Sequence, residues 1–153
     1  MMPKSNRGFT YIGVLILVVI MGVMLAAAGE IWFSAQKREK EQELLFVGNQ
    51  YRLALAQYYR HTPGSAIRYP KRLEDLLQDP RYPGMQRYLR QLYPDPVTGS
   101  TAWGLVTGQN GEISGVYSLS EDEPAKKAHF RLADKKFEGK TKYSDWVFMQ
   151  ATP

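Results

Sequence analysis

The chain has no cysteine, so no disulfide holds any part of it; the domain is expected to stand on burial and hydrogen bonding alone. It has only two histidines, His61 and His129, far apart and at no metal-ligand spacing. A phosphate-binding glycine loop and a Gly-x-Ser-x-Gly turn are also missing. Asp95, held between Pro94 and Pro96, reads as a turn residue rather than a general base. An enzyme is therefore not expected, and neither is a small-molecule substrate. Charge is lacking over one long stretch: no Asp, Glu, Lys or Arg occurs from Gly8 to Gly29. Those 22 residues match the roughly 20 that an α-helix needs to cross a bilayer. As a helix they would span about 33 Å.

The chain of 153 residues has room for this one segment and one modest polar domain. The formal net charge is +5, and much of it is local. Lys126, Lys127, Arg131, Lys135, Lys136, Lys140 and Lys142 face only Asp134 and Glu138 within one short segment.

The apolar run itself admits three processing schemes. One is a cleaved signal peptide, for which Ala26-Ala27-Ala28 supplies small residues, although the run exceeds the usual apolar region of such peptides. Another is an uncleaved anchor. The third rests on a motif: Lys4-Ser5-Asn6-Arg7-Gly8-Phe9-Thr10, with the apolar run directly behind it. This resembles the leader of the type IV pilin and pseudopilin superfamily. The resemblance implies a cut between Gly8 and Phe9 by a prepilin peptidase on the cytoplasmic side, and N-methylation of Phe9. Lys4 and Arg7 are suited to keep the leader in the cytoplasm.

One position departs from that family. Its members mostly carry a glutamate at the fifth mature residue, thought to pair with a neighbouring subunit's N-terminus and set register; here that residue is Gly13. Glu30, at the outer end of the run, cannot replace it geometrically. A carboxylate in hydrocarbon is costly unless paired, so its loss suggests a non-routine subunit or another register device. Gly13 and Gly22 lower helix propensity and would also let neighbouring helices approach.

Beyond Glu30 the helix is expected to continue, since residues 30–60 contain no proline and only Gly48 as glycine. Lys37, Arg38, Glu39, Lys40, Glu41 and Glu43 form a mixed charged run. Leu44, Val47, Tyr51, Leu55 and Tyr58 then recur every three to four residues, as on the core face of an amphipathic helix. His61-Thr62-Pro63-Gly64 ends it. A helix from Phe9 to Arg60 would be roughly 78 Å long.

The remainder predicts short pieces. Leu73–Leu77 and Met85–Tyr93 read as short helices, separated by the turn-rich Asp79-Pro80-Arg81-Tyr82-Pro83-Gly84. Trp103–Thr107 and Ile113–Leu119 flank Asn110-Gly111 and read as a hairpin. Trp146–Met149 reads as a third strand and Phe130–Leu132 as a fourth. The expected fold class is α+β: a long N-terminal α-helix, its first half transmembrane, packed against a small antiparallel β-sheet in a type IV pilin-like arrangement. The domain expectation is a leader at 1–8, a transmembrane and assembly helix at 9–29, and a periplasmic head at 30–153.

The head order is similar to that of the major pseudopilins of type II secretion. Tyr69-Pro70 with its leucine-rich follow-on, Asp95-Pro96 with Gly99 and Trp103, and Ile113-x-Gly115-Val116-Tyr117-Ser118-Leu119-Ser120 carry this likeness. It implies a structural subunit in the bacterial inner membrane, single-pass, with the N-terminus cytoplasmic and the C-terminal domain periplasmic. Filament assembly through the N-terminal helix would drive protein export. Implied partners are other pseudopilins or pilins, the prepilin peptidase and an inner-membrane assembly platform. In the major pseudopilins the loop after the Tyr-Ser-Leu strand binds calcium. Here Glu121, Asp122 and Glu123 could contribute oxygens, but Lys126 and Lys127 stand where the family tends to add acids. A solvated acidic turn without a cofactor is the favoured expectation. The alternative function is a minor type IV pilin with a DNA-binding or adhesion role. For DNA, Lys126, Lys127, Lys135 and Lys136, interleaved with Phe130, Phe137 and Tyr143, would track and stack on a single strand. A solvated, flexible basic loop is the plainer expectation for that segment.

Overall fold

The structure is a computed structural model. It describes residues 7–64 and 68–150, the side chains of 7–9, 27 and 28 excepted. One α-helix, α1, runs unbroken over Arg7–Arg60, as expected for a segment without proline. The chain divides into two units between Lys37 and Arg38.

In the first unit every large apolar side chain described is exposed, from Ile20 at 46% to Leu25 and Ile31 at 73%. This is the one helix among the described residues that is long and apolar enough to cross a membrane, by length and composition. A helix apolar all round has no polar face for water.

The second unit is an α+β layer built on residues 38–60 of α1. The predicted stripe of Leu44, Val47, Tyr51, Leu55 and Tyr58 is 0–4% exposed. A three-stranded antiparallel sheet covers it in the order β1 (Gly104–Thr107), β2 (Ile113–Tyr117), β3 (Phe148–Met149). Leu105 pairs with Val116, and Val116 pairs with Phe148. The β1–β2 turn closes through the Gly108 N–H, which donates to the Glu112 carbonyl at 2.8 Å. Gly111 sits there at φ 74°, in the left-handed region that suits glycine. Gly48 is where helix and sheet meet most closely: a Cβ on it would lie 2.5 Å from the Phe148 ring. Phe148, itself fully buried, therefore packs directly on the helix backbone.

Several expected elements differ. Met85–Tyr93 is not a helix. Its amides are used elsewhere: Tyr88 and Leu89 N–H both donate to the Leu76 carbonyl, at 2.9 and 3.0 Å. Only Leu73–Leu76 of the connector is helical, as a 3-10 turn. Phe130–Leu132 forms no strand. The Phe130 ring instead stands edge-on to Phe137 and Trp146, and a 3-10 turn follows at Leu132–Phe137. The third strand is shorter than Trp146–Met149 because the Trp146 N–H closes the preceding 3-10 turn, donating to the Tyr143 carbonyl at 3.0 Å. The first two strands are also trimmed: Trp103 lies outside β1, and Ser118 and Leu119 lie outside β2.

Candidate functional site

The leader residues up to Asn6 fall outside the described residues, as do the side chains of Gly8 and Phe9; their backbone belongs to the first turn of α1. Farther along, a Cβ on Gly13, Gly22 or Gly29 would meet nothing within 4 Å. No contact in the structure therefore explains a glycine at those positions, although each lowers helix propensity by about 1 kcal/mol relative to alanine. Glu30 is exposed and has no ion pair among the described residues.

The acidic loop is held by separate partners. Glu121 pairs with the Lys142 ammonium and accepts from Ser144 Oγ at 3.2 Å. The bond from Lys142 holds the Glu121 carboxyl below its ordinary value, and the same contact raises Lys142. Asp122 accepts from Ser120 Oγ at 3.1 Å, and Glu123 lies 2.5 Å from the Lys127 ammonium. Among the described residues no group of three acidic, histidine or cysteine side chains gathers as a metal site.

The carboxylate that organises this loop is one the sequence reading passed over. Glu41, on α1 and only 4% exposed, accepts from the amides of Ala125 (2.8 Å) and Lys126 (3.0 Å). It also accepts from the Tyr143 hydroxyl at 2.9 Å. Burial first, and then this bond to a carboxylate, push the Tyr143 phenol far above its usual value. A signal for it was present: Glu41 stands three residues before Leu44, on the stripe that continues to Val47 and Tyr51. In the sequence it is one member of a mixed charged run; the helical period places it inside.

The cations of the basic segment are exposed apart from the half-buried Lys126, as expected of a solvated segment, but its aromatics are not. Phe137 and Tyr143 are 1% and 2% exposed and belong to the core, and Phe130 leans on that core. Two of the three aromatics proposed to stack on nucleic acid are thus already packed. Asp134 is buried and binds the Arg52 guanidinium at 2.8 Å. Lys127 is paired as above, and the Lys126 ammonium lies 5.1 Å from the Phe130 ring centre. Lys135 and Lys136 are exposed. Although the side chain is exposed overall, partial loss of water around the Lys136 ammonium, and then the Arg52 charge, lower it below its ordinary value. The structure does not bring these four lysines onto a set of open aromatic rings.

Two further polar clusters fasten the head. Asp79 is fully buried and takes a 2.6 Å ion pair from Arg81. Arg81 also donates to the Tyr58 carbonyl and lies 3.6 Å from that ring's centre. Burial alone would raise the Asp79 carboxyl; hydrogen bonds from Arg81 and Tyr88 outweigh it and leave it lowered. Asp95 is a turn residue, as expected, and also buried: its carboxylate accepts from the Val97 N–H at 2.9 Å and the Ser118 hydroxyl at 2.7 Å. His61 lies with Nδ1 2.8 Å from the Gln57 carbonyl, and His129 is exposed at φ 60°.

Two open grooves of about 450 Å³ each border α1 in the second unit. One lies against Phe46, Asn49 and Lys126; the other lies against Leu53, Arg60, Leu132 and Lys136.

Compared with protein-family models, with curated proteins and with solved structures, the chain matches none.

Proposed function

We propose that the chain is a pseudopilin-like structural subunit of a type II secretion system or a related type IV filament system. Its role is mechanical rather than catalytic. Cleavage between Gly8 and Phe9 would remove a short basic leader and leave the apolar helix on the mature protein. That helix would store the subunit in the inner membrane, with the head in the periplasm. On assembly it would exchange lipid neighbours for the helices of other pseudopilins, drawn out by a membrane platform.

One observation carries this reading: a charge-free run starts directly behind Gly8-Phe9 and continues without a break into the helix on which the head is built. The exposed apolar side chains of the first unit, and glycines at 13 and 22 with open space around them, fit a helix meant to be surrounded by other helices. The test is the mass of the mature N-terminus. A chain beginning with N-methylated Phe9 supports the reading. A chain beginning at Gly29, or one that keeps Met1, overturns it.

A further inference from the structure

Within the second unit, a channel runs between α1 and the 125–134 segment. The groove beside Phe46 and Asn49 meets another of about 260 Å³ at Gln42, Leu45 and Lys126, and the latter reaches back to Arg38. From Arg38 to Arg52 the helix rises about 21 Å. An extended chain of about six residues covers that length. The channel has an apolar floor: Leu45 and Phe130 are half-buried in it, and Phe46 stands 59% exposed at its side.

Two carboxylates line the channel, and both are already occupied. Glu41 accepts from the Ala125 and Lys126 amides and from the Tyr143 hydroxyl. Asp134 holds the Arg52 guanidinium, which also donates to the Ala133 carbonyl at 2.9 Å. Arg38, Lys126 and Arg131 line the same channel and have no carboxylate partner among the described residues. Glu39 and Glu43 on α1 do not line it. The channel therefore holds uncompensated positive charge beside apolar surface, an arrangement complementary to a ligand that is acidic and apolar at once. The chain's own run of acids does not supply that ligand, since Glu121 and Glu123 are paired with Lys142 and Lys127 and Asp122 accepts from Ser120.

We infer that this channel binds an extended acidic peptide segment of a different protein, with carboxylates at Arg38, Lys126 and Arg131 and an apolar side chain on Leu45, Phe46 and Phe130. A nucleic-acid strand fits less well. The Lys126 ammonium already lies 5.1 Å from the Phe130 ring centre and competes with a base for that ring. A flat layer of lipid headgroups would reach the exposed cations but not Leu45, which lies half-buried between helix and loop. The amide side chains of Gln42 and Asn49, which also line the channel, can donate to peptide carbonyls. Such binding uses the second unit alone and goes beyond the role of a filament subunit.

The test titrates the full-length chain, in a zwitterionic detergent, against a short fluorescent peptide that alternates glutamate with leucine, read by anisotropy. Saturable binding is expected. Lys126→Gln together with Arg131→Gln should weaken it by about tenfold or more. Lys135→Gln together with Lys140→Gln removes the same charge at exposed positions outside the channel and should change it by less than about twofold. Phe46→Ser should weaken it by about fivefold, through the apolar contact rather than charge. These five side chains form no hydrogen bond or ion pair among the described residues, so the urea transition of the head should be the same in every variant. The same peptide with lysine in place of glutamate should not bind. No saturable binding overturns the inference. So does an equal loss in the two charge pairs, which would mark general attraction to a basic surface, or a glutamate–leucine peptide insensitive to Phe46→Ser. A short oligothymidylate, or a short-chain phosphatidylglycerol, that displaces the peptide at lower concentration than unlabelled peptide also overturns it. The outcome is read apart from the mass of the N-terminus, so this binding and the subunit reading can fail separately.

Discussion

From Tyr11 to Leu25 the large apolar side chains are 46–73% exposed, whereas the stripe from Leu44 to Tyr58, on the same helix, is 0–4% exposed. The difference lies in what surrounds the two regions rather than in their residue types. Residues 44–58 carry an apolar face and a polar face, and the 68–150 segment supplies a sheet, a connector and 3-10 turns that cover the apolar one. Residues 11–25 are apolar on every side and have no partner among the described residues. Burying a leucine or isoleucine side chain is worth roughly 1.5–3 kcal/mol. The first region gains none of that stabilisation from the described residues, while the second obtains it within the chain.

The contrast can be broken most strongly at Phe148. Phe148→Ala removes the ring that seats on Gly48, and unfolding of the head in urea should show a loss of about 3–5 kcal/mol. Leu17→Ala should leave the urea transition of the head unchanged, because Leu17 belongs to the bare region. Next in size is Glu41→Ala. It strands the Ala125 and Lys126 amides and the Tyr143 hydroxyl, at an expected cost of about 2–3 kcal/mol. Proteolysis within the 121–127 loop should quicken; Glu39→Ala, two residues away but exposed, should change neither readout.

Alkaline pH probes the same core. Tyr51 is pushed up to about 12, chiefly by burial, while its hydroxyl donates to the Tyr93 carbonyl at 3.0 Å. A phenol raised in the folded state stabilises fully below the unfolded value near 10 and loses that contribution as pH rises toward 12. Head stability should fall over that window by up to about 3 kcal/mol from this residue, at about 1.4 kcal/mol per pH unit. Tyr51→Phe should flatten that part of the profile in a melting series. The smallest effect is expected at Gly13→Ala. The open space around Gly13 accepts a methyl group, so isolated chains in detergent should gain about 1 kcal/mol at most in helix stability. A change in filament yield from the same substitution would locate the role of Gly13 outside the single chain.

The helix, its end at Arg60, its core stripe and the hairpin were legible in the sequence because each follows a strong local period or turn signal. Three features were not. Met85–Tyr93 has enough helix formers to suggest a helix, yet Tyr88 and Leu89 give their amides to Leu76; tertiary hydrogen bonding overrode local preference. Phe130–Leu132 has strand-like composition, but the Phe130 ring is claimed by Phe137 and Trp146. Glu41 looked like one charge among six, and only its phase relative to Leu44 marks it as interior. In the basic segment the cations are exposed or half-buried, while Asp134 and Phe137 among them are buried and fasten it to the core, which the charge pattern alone does not mark.

The Glu41 contact sets how the head meets changing surroundings. A loop gathered around a metal ion can be undone by a chelator or by dilution, because its order depends on a free concentration. Here the oxygens at Ala125 and Lys126 are delivered by a side chain covalently fixed to the helix. Once folded, that hold on the two amides needs no partner beyond the chain itself.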